Sequence, residues 1–460
     1  MKALVAAGAA VITYCSLLIP LSHAQPGSLD FTFNPGSGAN NTPLCAALQT
    51  NGQIIIGGNF STVNNATRHY VARLNPDGSL DSSFDVGVGP QSSVHILTVQ
   101  DDGKILIGGT FDSINGLSYS GLARLRPDGS VDTTFPNMLI YATALGKQTD
   151  GSILVNAYYP ASPPQSNCIV RLTEAGVLDP SFRHAFFTGG DTASAFAFQS
   201  SGQVIVAGGF SEISGSTLSY LARLNTNGGL DTNFNAGIAG GSVYCLAITP
   251  QDQIIIGGSF SSVNGYSRVG VARLNADGTV DATFNPGLGV FSGFVEAIAL
   301  EQDGKMFIGG AFTGFDGTNR SGLARLNTDG SLDLSFDPKI SSGGLNGGLV
   351  TSLLSQPDGK LIVGGGASDF NGTQMNGIAR LYTDSSPTNA LQFLATGQYF
   401  GTFLQGVVSN TYRIEWTTNL NTPSLWTPLF NVTLQANPQF VADPNPPLGQ
   451  RFYRAVQVSP

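Results

Sequence analysis

The triplet Ala-Arg-Leu, once Val-Arg-Leu, recurs along the chain with its arginine at 73, 124, 171, 223, 273, 325 and 380. The intervals are 51, 47, 52, 50, 52 and 55 residues. A period of this size marks an array of supersecondary units. The fifth copy shows the parts of one unit. Val243 to Ile248 is an apolar run, and Gln253 to Gly258 is a β-branched run ending in two glycines. Gly270 to Asn275 carries the triplet, and Thr279 to Phe284 closes the unit. Asp277-Gly278 joins the last two runs, and Asp-Gly between strand-like segments is a strong hairpin signal. Sister turns occur at Asp77-Gly78, Asp128-Gly129 and Asp329-Gly330, and a second set at Asp102-Gly103, Asp150-Gly151, Asp303-Gly304 and Asp358-Gly359. No helical periodicity competes. Four antiparallel strands repeated seven times predict a β-propeller.

Composition agrees. Charged residues are 11% where about 25% is usual, and hydrophobic residues are 41%. A disordered chain has the opposite bias. Glycine is high, at 59 residues, because the turns and the Gly-Gly pairs are copied with the unit. The Gly-Gly pairs are expected to let wedge-shaped blades pack closely.

The unit also predicts how the array ends. A motif Leu/Val-Asp-x-x-Phe places Asp81, Asp132, Asp179, Asp231, Asp281 and Asp333 eight residues after Arg73, Arg124, Arg171, Arg223, Arg273 and Arg325. Arg380 has no such follower, and the missing motif stands at the N-terminus as Leu29-Asp30-Phe31-Thr32-Phe33. A strand from the N-terminus would complete the last blade and remove an exposed sheet edge. Each Arg is expected to face its Asp across the outer hairpin as a structural pair, with Arg380 meeting Asp30.

These repeats resemble a known family. Ile54 to Phe60 and Val71 to Phe84 look like the delta-60 β-propeller repeat of secreted bacterial proteins. The resemblance covers roughly residues 27 to 383 and implies a propeller in an extracellular or envelope setting. It implies no catalytic residues. The third copy departs most, with Asn156-Ala157-Tyr158-Tyr159 in place of the usual Gly-Gly-x-Phe.

Met1-Lys2, the apolar stretch to Leu21 and Ser22-His23-Ala24 form a signal-peptide pattern with a cut before Gln25. No later apolar run is long enough to span a bilayer. A formal net charge of −9 without a Lys/Arg cluster argues against nucleic acid and anionic membranes as partners. Cys45, Cys168 and Cys245 remain after cleavage; Cys45 and Cys245 hold the same repeat position four blades apart, too far for a disulfide. All three are read as small buried apolar groups.

Ser385-Ser386-Pro387-Thr388-Asn389 reads as a linker, beyond which the repeat stops. Tyr412 to Trp416 and Phe452 to Val458 alternate as half-buried strands do. This stretch is similar to a β-module at the ends of many secreted proteins of environmental bacteria. Trp416 and Trp426 read as core anchors, with a sugar-binding platform as the rival.

The expected fold is therefore all-β: a signal peptide at 1–24, a seven-bladed β-propeller of four-stranded antiparallel blades at 25–386, closed by an N-terminal strand, and a small C-terminal β-sandwich at 387–460. Its chemistry is sparse. His69, His95 and His184 lie in different repeats, and no zinc spacing or Gly-x-Ser-x-Gly elbow occurs. No metal or cofactor is expected, with calcium at an isolated Asp turn left open. Longer connections share one face of the disk, and there Tyr158, Tyr159, Phe291 and Phe294 are the candidate binding aromatics, against ordinary loop packing. The leading reading is a secreted or envelope, monomeric, non-catalytic protein that presents this loop face to a carbohydrate or protein ligand. A hydrolase or lyase using acids on that face, and a purely structural envelope component, are the alternatives.

Overall fold

The computed structural model describes residues 25–138, 140–158, 167–188, 191–341, 349–367 and 369–383, together with C-terminal strands between 393 and 459. The signal-peptide pattern, Tyr159, the linker at 385–389 and Trp426 lie outside the described residues, as does the side chain of Trp416. The chain divides into two compact units, one comprising Gln25–Asp384 and the other holding Ser385–Pro460.

The first unit is a seven-bladed β-propeller. Blade one runs Pro43–Leu48, Ile54–Gly58 and Val71–Leu74 from the inside outwards, all antiparallel. The same order recurs through blade seven, Val350–Ser355, Lys360–Gly365 and Ile378–Tyr382. The inner strand of each blade packs against that of the next, and Pro43–Leu48 packs against Val350–Ser355, so the ring is closed. Thr351 Oγ1 donates to the Pro43 carbonyl across that junction at 2.7 Å.

The second strand explains its own sequence. Ile54, Ile55 and Ile56 are fully buried because neighbouring blades cover both faces of the sheet. A strand buried on both faces needs a continuous apolar run instead of alternation. Each such isoleucine contributes about 1.5–3 kcal/mol. The glycines that follow sit where blades touch. A Cβ on Gly257 would come within 2.6 Å of Cys245 Sγ and 2.7 Å of Val295 Cγ1 in the next blade.

The fourth strand is shorter than the six-residue run expected at Thr279 to Phe284. In blade five it is the single bridge Leu274↔Val280, and Leu74↔Leu80 is its counterpart in blade one. The chain leaves the sheet at the motif Asp. Asp281 Oδ1 accepts from Thr283 N at 2.8 Å and Thr283 Oγ1 at 2.6 Å, and Phe284 N donates to the Asp281 carbonyl. This Asx turn competes with a longer ladder. The N-terminal segment supplies the seventh copy: Leu29 bridges Leu381, Asp30 N donates to the Arg380 carbonyl at 2.8 Å, and Tyr382 N to the Ser28 carbonyl at 2.9 Å.

In the second unit, Thr411–Thr417 pairs with Thr427–Thr433 and Phe452–Ser459. Phe393–Thr396, Tyr399–Leu404 and Gln439–Ala442 make a second three-stranded sheet. Glu415 is buried and accepts Arg413 Nε at 2.7 Å.

Candidate binding face

The repeated arginines stand at the junctions between blades. In every blade the Arg meets the Asp carboxylate: at 2.7 Å in Arg73–Asp81, Arg171–Asp179, Arg273–Asp281 and Arg380–Asp30, 2.8 Å in Arg124–Asp132 and Arg223–Asp231, and 3.0 Å in Arg325–Asp333. Two further contacts lie beyond a sequence reading of the pair. The guanidinium sits over the motif phenylalanine, 4.8 Å from the Phe84 centroid and 5.0 Å from that of Phe33. Its Nη1 also donates to a carbonyl of the following blade: Arg73 to Pro127 at 2.6 Å, Arg273 to Thr328 at 2.7 Å, and Arg380 across the closure to Pro76 at 2.7 Å. Each unit thus ties itself to its neighbour, and the arginines are spent on the scaffold.

The carboxylates are spent in the same way. Burial pushes Asp81 and Asp333 up, but hydrogen bonds from Ser83 and Ser335, with the facing cations, hold both at about 2. The turn residue Asp77 accepts from Ser79 N and Oγ, which holds its carboxyl below the ordinary value. Among the described residues no three His, Cys, Asp or Glu side chains gather as a metal site. Burial raises Glu296, in the inner strand of blade six, and lowers His95, in that of blade two.

The opposite face is more regular than the sequence implies. Of the connections read from the sequence as long and varied, Phe60 to His69 folds back as a short hairpin, Thr62–Val63 with Ala66–Thr67, as Ser262–Val263 does with Tyr266–Ser267 in blade five, while most of Tyr158 to Asn167 and half of Phe336 to Leu349 lie outside the described residues. The hairpin turns place Asn64, Asn115, Ser214, Asn264, Asp316 and Asn371 at positive φ. Asn115 then clamps the incoming connection, accepting from Gly89 N at 2.9 Å and donating to the Val86 carbonyl at 2.8 Å.

The candidate aromatics are not brought together. Tyr158 ends the second strand of blade three, half-buried opposite Tyr141 and Asn167. Phe291 lies in the connection into blade six, 40% exposed, with its ring on Gly314. Phe294 begins the inner strand of blade six and meets Tyr244 edge to face at 5.4 Å. Packing thus accounts for part of each. What shares the loop face is a set of exposed apolar side chains beside the hairpins: Val88, Leu117, Phe186, Tyr266, Leu288 and Phe291. A residue-type search favouring aromatics overlooks Val88 and Leu288, the most exposed of these at 75% and 73%.

The geometry coincides with a family pattern. Seven segments, residues 49–84, 100–135, 148–182, 199–234, 251–284, 301–336 and 356–387, match the model of a domain of unknown function, the DUF5122 beta-propeller. The chain belongs to this family. Six of the DUF5122 segments end on or beside the phenylalanine under the arginine; in the seventh that phenylalanine is Phe33, at the other end of the chain. No curated protein matches the sequence. Solved structures share the fold at low identity. The extracellular domain of a one-component system from B. thetaiotaomicron is 12% identical with a TM-score of 0.50, covering 95% of this chain and 56% of that one. A surface component of the type-IX secretion system of Porphyromonas gingivalis is 14% identical with a TM-score of 0.45, covering 88% and 55%. Virginiamycin B lyase from Staphylococcus aureus is 13% identical with a TM-score of 0.44, covering 76% and 97%. The DUF5122 chain therefore spans little more than half the length of the first two.

Proposed function

We propose that the protein is a secreted or envelope binding protein, non-catalytic, that presents the hairpin face of the propeller to a carbohydrate or protein ligand. One observation carries this reading: six large apolar side chains, Val88, Leu117, Phe186, Tyr266, Leu288 and Phe291, stand exposed on that face. Exposed apolar groups on a rigid scaffold mark interaction surfaces. The arginines and motif aspartates are engaged between blades, which leaves little acid chemistry for hydrolysis. The export pattern at residues 1–24 supports an extracytoplasmic setting. The test is a glycan array and a surface-protein pull-down with residues 25–460, beside a variant carrying Leu117→Ser, Phe186→Ser, Tyr266→Ser and Leu288→Ser. Retention by the wild type and loss in the variant are expected. Equal retention by both, or turnover of an offered polysaccharide, would refute the reading.

A further inference from the structure

A cleft of about 560 Å³ opens between the connection into blade four and that blade's hairpin turn. Its size falls in the usual range for ligand pockets, about 300–1,000 Å³. Arg183, His184, Phe186 and Thr188 line one side, and Ser214 lines the other. Both sides depart from the repeat.

In five other units the residue after the motif phenylalanine is Asn or Asp, and it caps its own loop. Asn34, Asp85, Asn235, Asn285 and Asp337 each accept a backbone N–H two residues on, at 2.8–3.2 Å. At this junction the position is Arg183. Its backbone stays anchored, since Arg183 N donates to the Asn227 carbonyl at 2.7 Å. Its guanidinium makes no hydrogen bond or ion pair among the described residues, although the protein as a whole is acidic. Across the cleft, the clamping Asn or Asp of other hairpins is replaced by Ser214. Elsewhere that residue fills the space: a Cβ on Gly36 would meet Asn64 Oδ1 at 2.1 Å, and one on Gly287 would meet Asp316 Oδ1 at 2.1 Å. The smaller serine leaves the space open.

The lining reads as a recognition site. Arg183 offers a planar fork of donors suited to a carboxylate or similar oxyanion. Phe186 is 50% exposed and offers an apolar face, with the His184 ring 6.2 Å away. Thr188 and Ser214 carry exposed hydroxyls. None of the lining residues is acidic; Asp191 nearby is occupied by Ser211 N and Oγ, and Glu212 precedes the turn outside the lining.

We propose that this cleft binds a sugar bearing an anionic substituent, with Arg183 on the anion, Phe186 under the ring and the two hydroxyls on ring oxygens. The proposal rests on the reading of the hairpin face as the binding face and names one site on it.

The test uses residues 25–460 as wild type, Arg183→Gln, Arg183→Lys, Phe186→Ala and Ser214→Asn, titrated calorimetrically with trigalacturonate, a sulfated trisaccharide and neutral xylotriose. The two acidic probes separate a carboxylate from a sulfate as the anion. Binding of at least one acidic probe is expected, weakened tenfold or more in Arg183→Gln and less in Arg183→Lys. Phe186→Ala and Ser214→Asn are expected to weaken it too, with thermal midpoints near wild type. Equal binding by wild type and Arg183→Gln, equal affinity for xylotriose, or no binding of either acidic probe would overturn the site. Each protein is also run on the glycan array. Retention there that is indifferent to Arg183 would sink the cleft and leave the face standing, whereas no retention by the wild type would sink both.

Discussion

Asp30→Asn tests the closure of the ring. The Asp30 carboxylate is fully buried and accepts Arg380 Nε at 2.7 Å, Thr32 N at 3.0 Å, Thr32 Oγ1 at 2.6 Å and the Tyr382 hydroxyl at 3.0 Å, with Lys360 Nζ at 3.0 Å. Burial alone would raise its pKa, but the hydrogen bonds from Thr32 and Lys360, with the Arg380 charge, hold it far below the ordinary carboxylate range. The amide removes the charge, leaving Arg380 facing no carboxylate and Lys360 with Asp358 at 3.5 Å. Breaking a buried pair from one side costs about 3–5 kcal/mol, a large share of a stability of about 5–15 kcal/mol. Asp179→Asn is the matched control, because Arg171–Asp179 has the same geometry within one continuous blade and is more exposed, at 15% and 21%. Its loss should cost about 1.5 kcal/mol, the low end for a charged hydrogen bond. Urea unfolding of residues 25–460 reads both. Asp30→Asn must fall well below Asp179→Asn, and deletion of residues 25–33 must fall at least as far. A midpoint for Asp30→Asn equal to that of the control would refute the claim that this pair seals the ring.

Gly257→Ala should destabilise by about 1–3 kcal/mol through overpacking against Cys245 and Val295. Gly265→Ala, with open space around it and φ +79°, should lose only the about 1–2 kcal/mol of a left-handed backbone; thermal midpoints showing Gly257→Ala as the milder change would contradict the packing account. Asp81 and Asp333 titrate near 2 in the fold, below the unfolded value of about 3.9. Their contribution is complete above about pH 4 and is lost as pH falls towards 2, so the urea midpoint should be lower at pH 3 than at pH 6; an unchanged midpoint would exclude it. Burial pushes the Cys168 thiol up to about 11 and raises those of Cys45 and Cys245 well above the ordinary thiol value. Iodoacetamide at pH 8 should therefore spare all three in the fold and modify them in guanidinium; rapid labelling of the native protein would contradict this.

Much of the blade was legible because its signals are local and repeated. The Ile-Ile-Ile-Gly-Gly run, the Asp-Gly turns and the displaced Leu29-Asp30 motif each name a position in the ring without any distance being known. The length of the fourth strand was not legible, because Asp281 carries two competing instructions. Its sequence neighbours suit a strand, yet its carboxylate captures Thr283 and turns the chain. The second role of the arginines was hidden for a related reason: the acceptor of Arg73 is the Pro127 carbonyl, 54 residues away, and a backbone oxygen leaves no mark in composition. Cys45 and Cys245 were expected to be buried, and as residues they are only half-buried. The candidate site was the least legible part. Sequence reasoning looked for aromatics in long loops, whereas Phe60 to His69 is one of several like hairpins and the exposed residues beside the hairpins include Val88 and Leu288.

Repetition supplies an internal control for telling scaffold from function. A unit that departs from the others and is compensated by its neighbour preserves packing. Asn156 stands where blades one, two, five, six and seven carry an interblade glycine and blade four carries Ala207, and blade four faces it with Ala193 where blades two, five, six and seven have Val94, Val243, Val295 and Val350. Asn156 Nδ2 donates to Thr143 and Thr192 within the space so made. The smaller Ala193 faces the larger Asn156, and packing accounts for this exchange. The exchange at Arg183 and Ser214 is answered by packing only in part: the segment after Arg183 adds a strand, Ala185–Phe186, to blade three, and Ala185 is buried. One side loses a loop cap, the other loses a clamp, and the result is a cleft whose cation is unpaired among the described residues. Packing therefore accounts for Ala185 and Phe187, and what it leaves unexplained is the cleft face of Arg183, Phe186 and Ser214, which makes that face a stronger pointer to function than the most divergent blade.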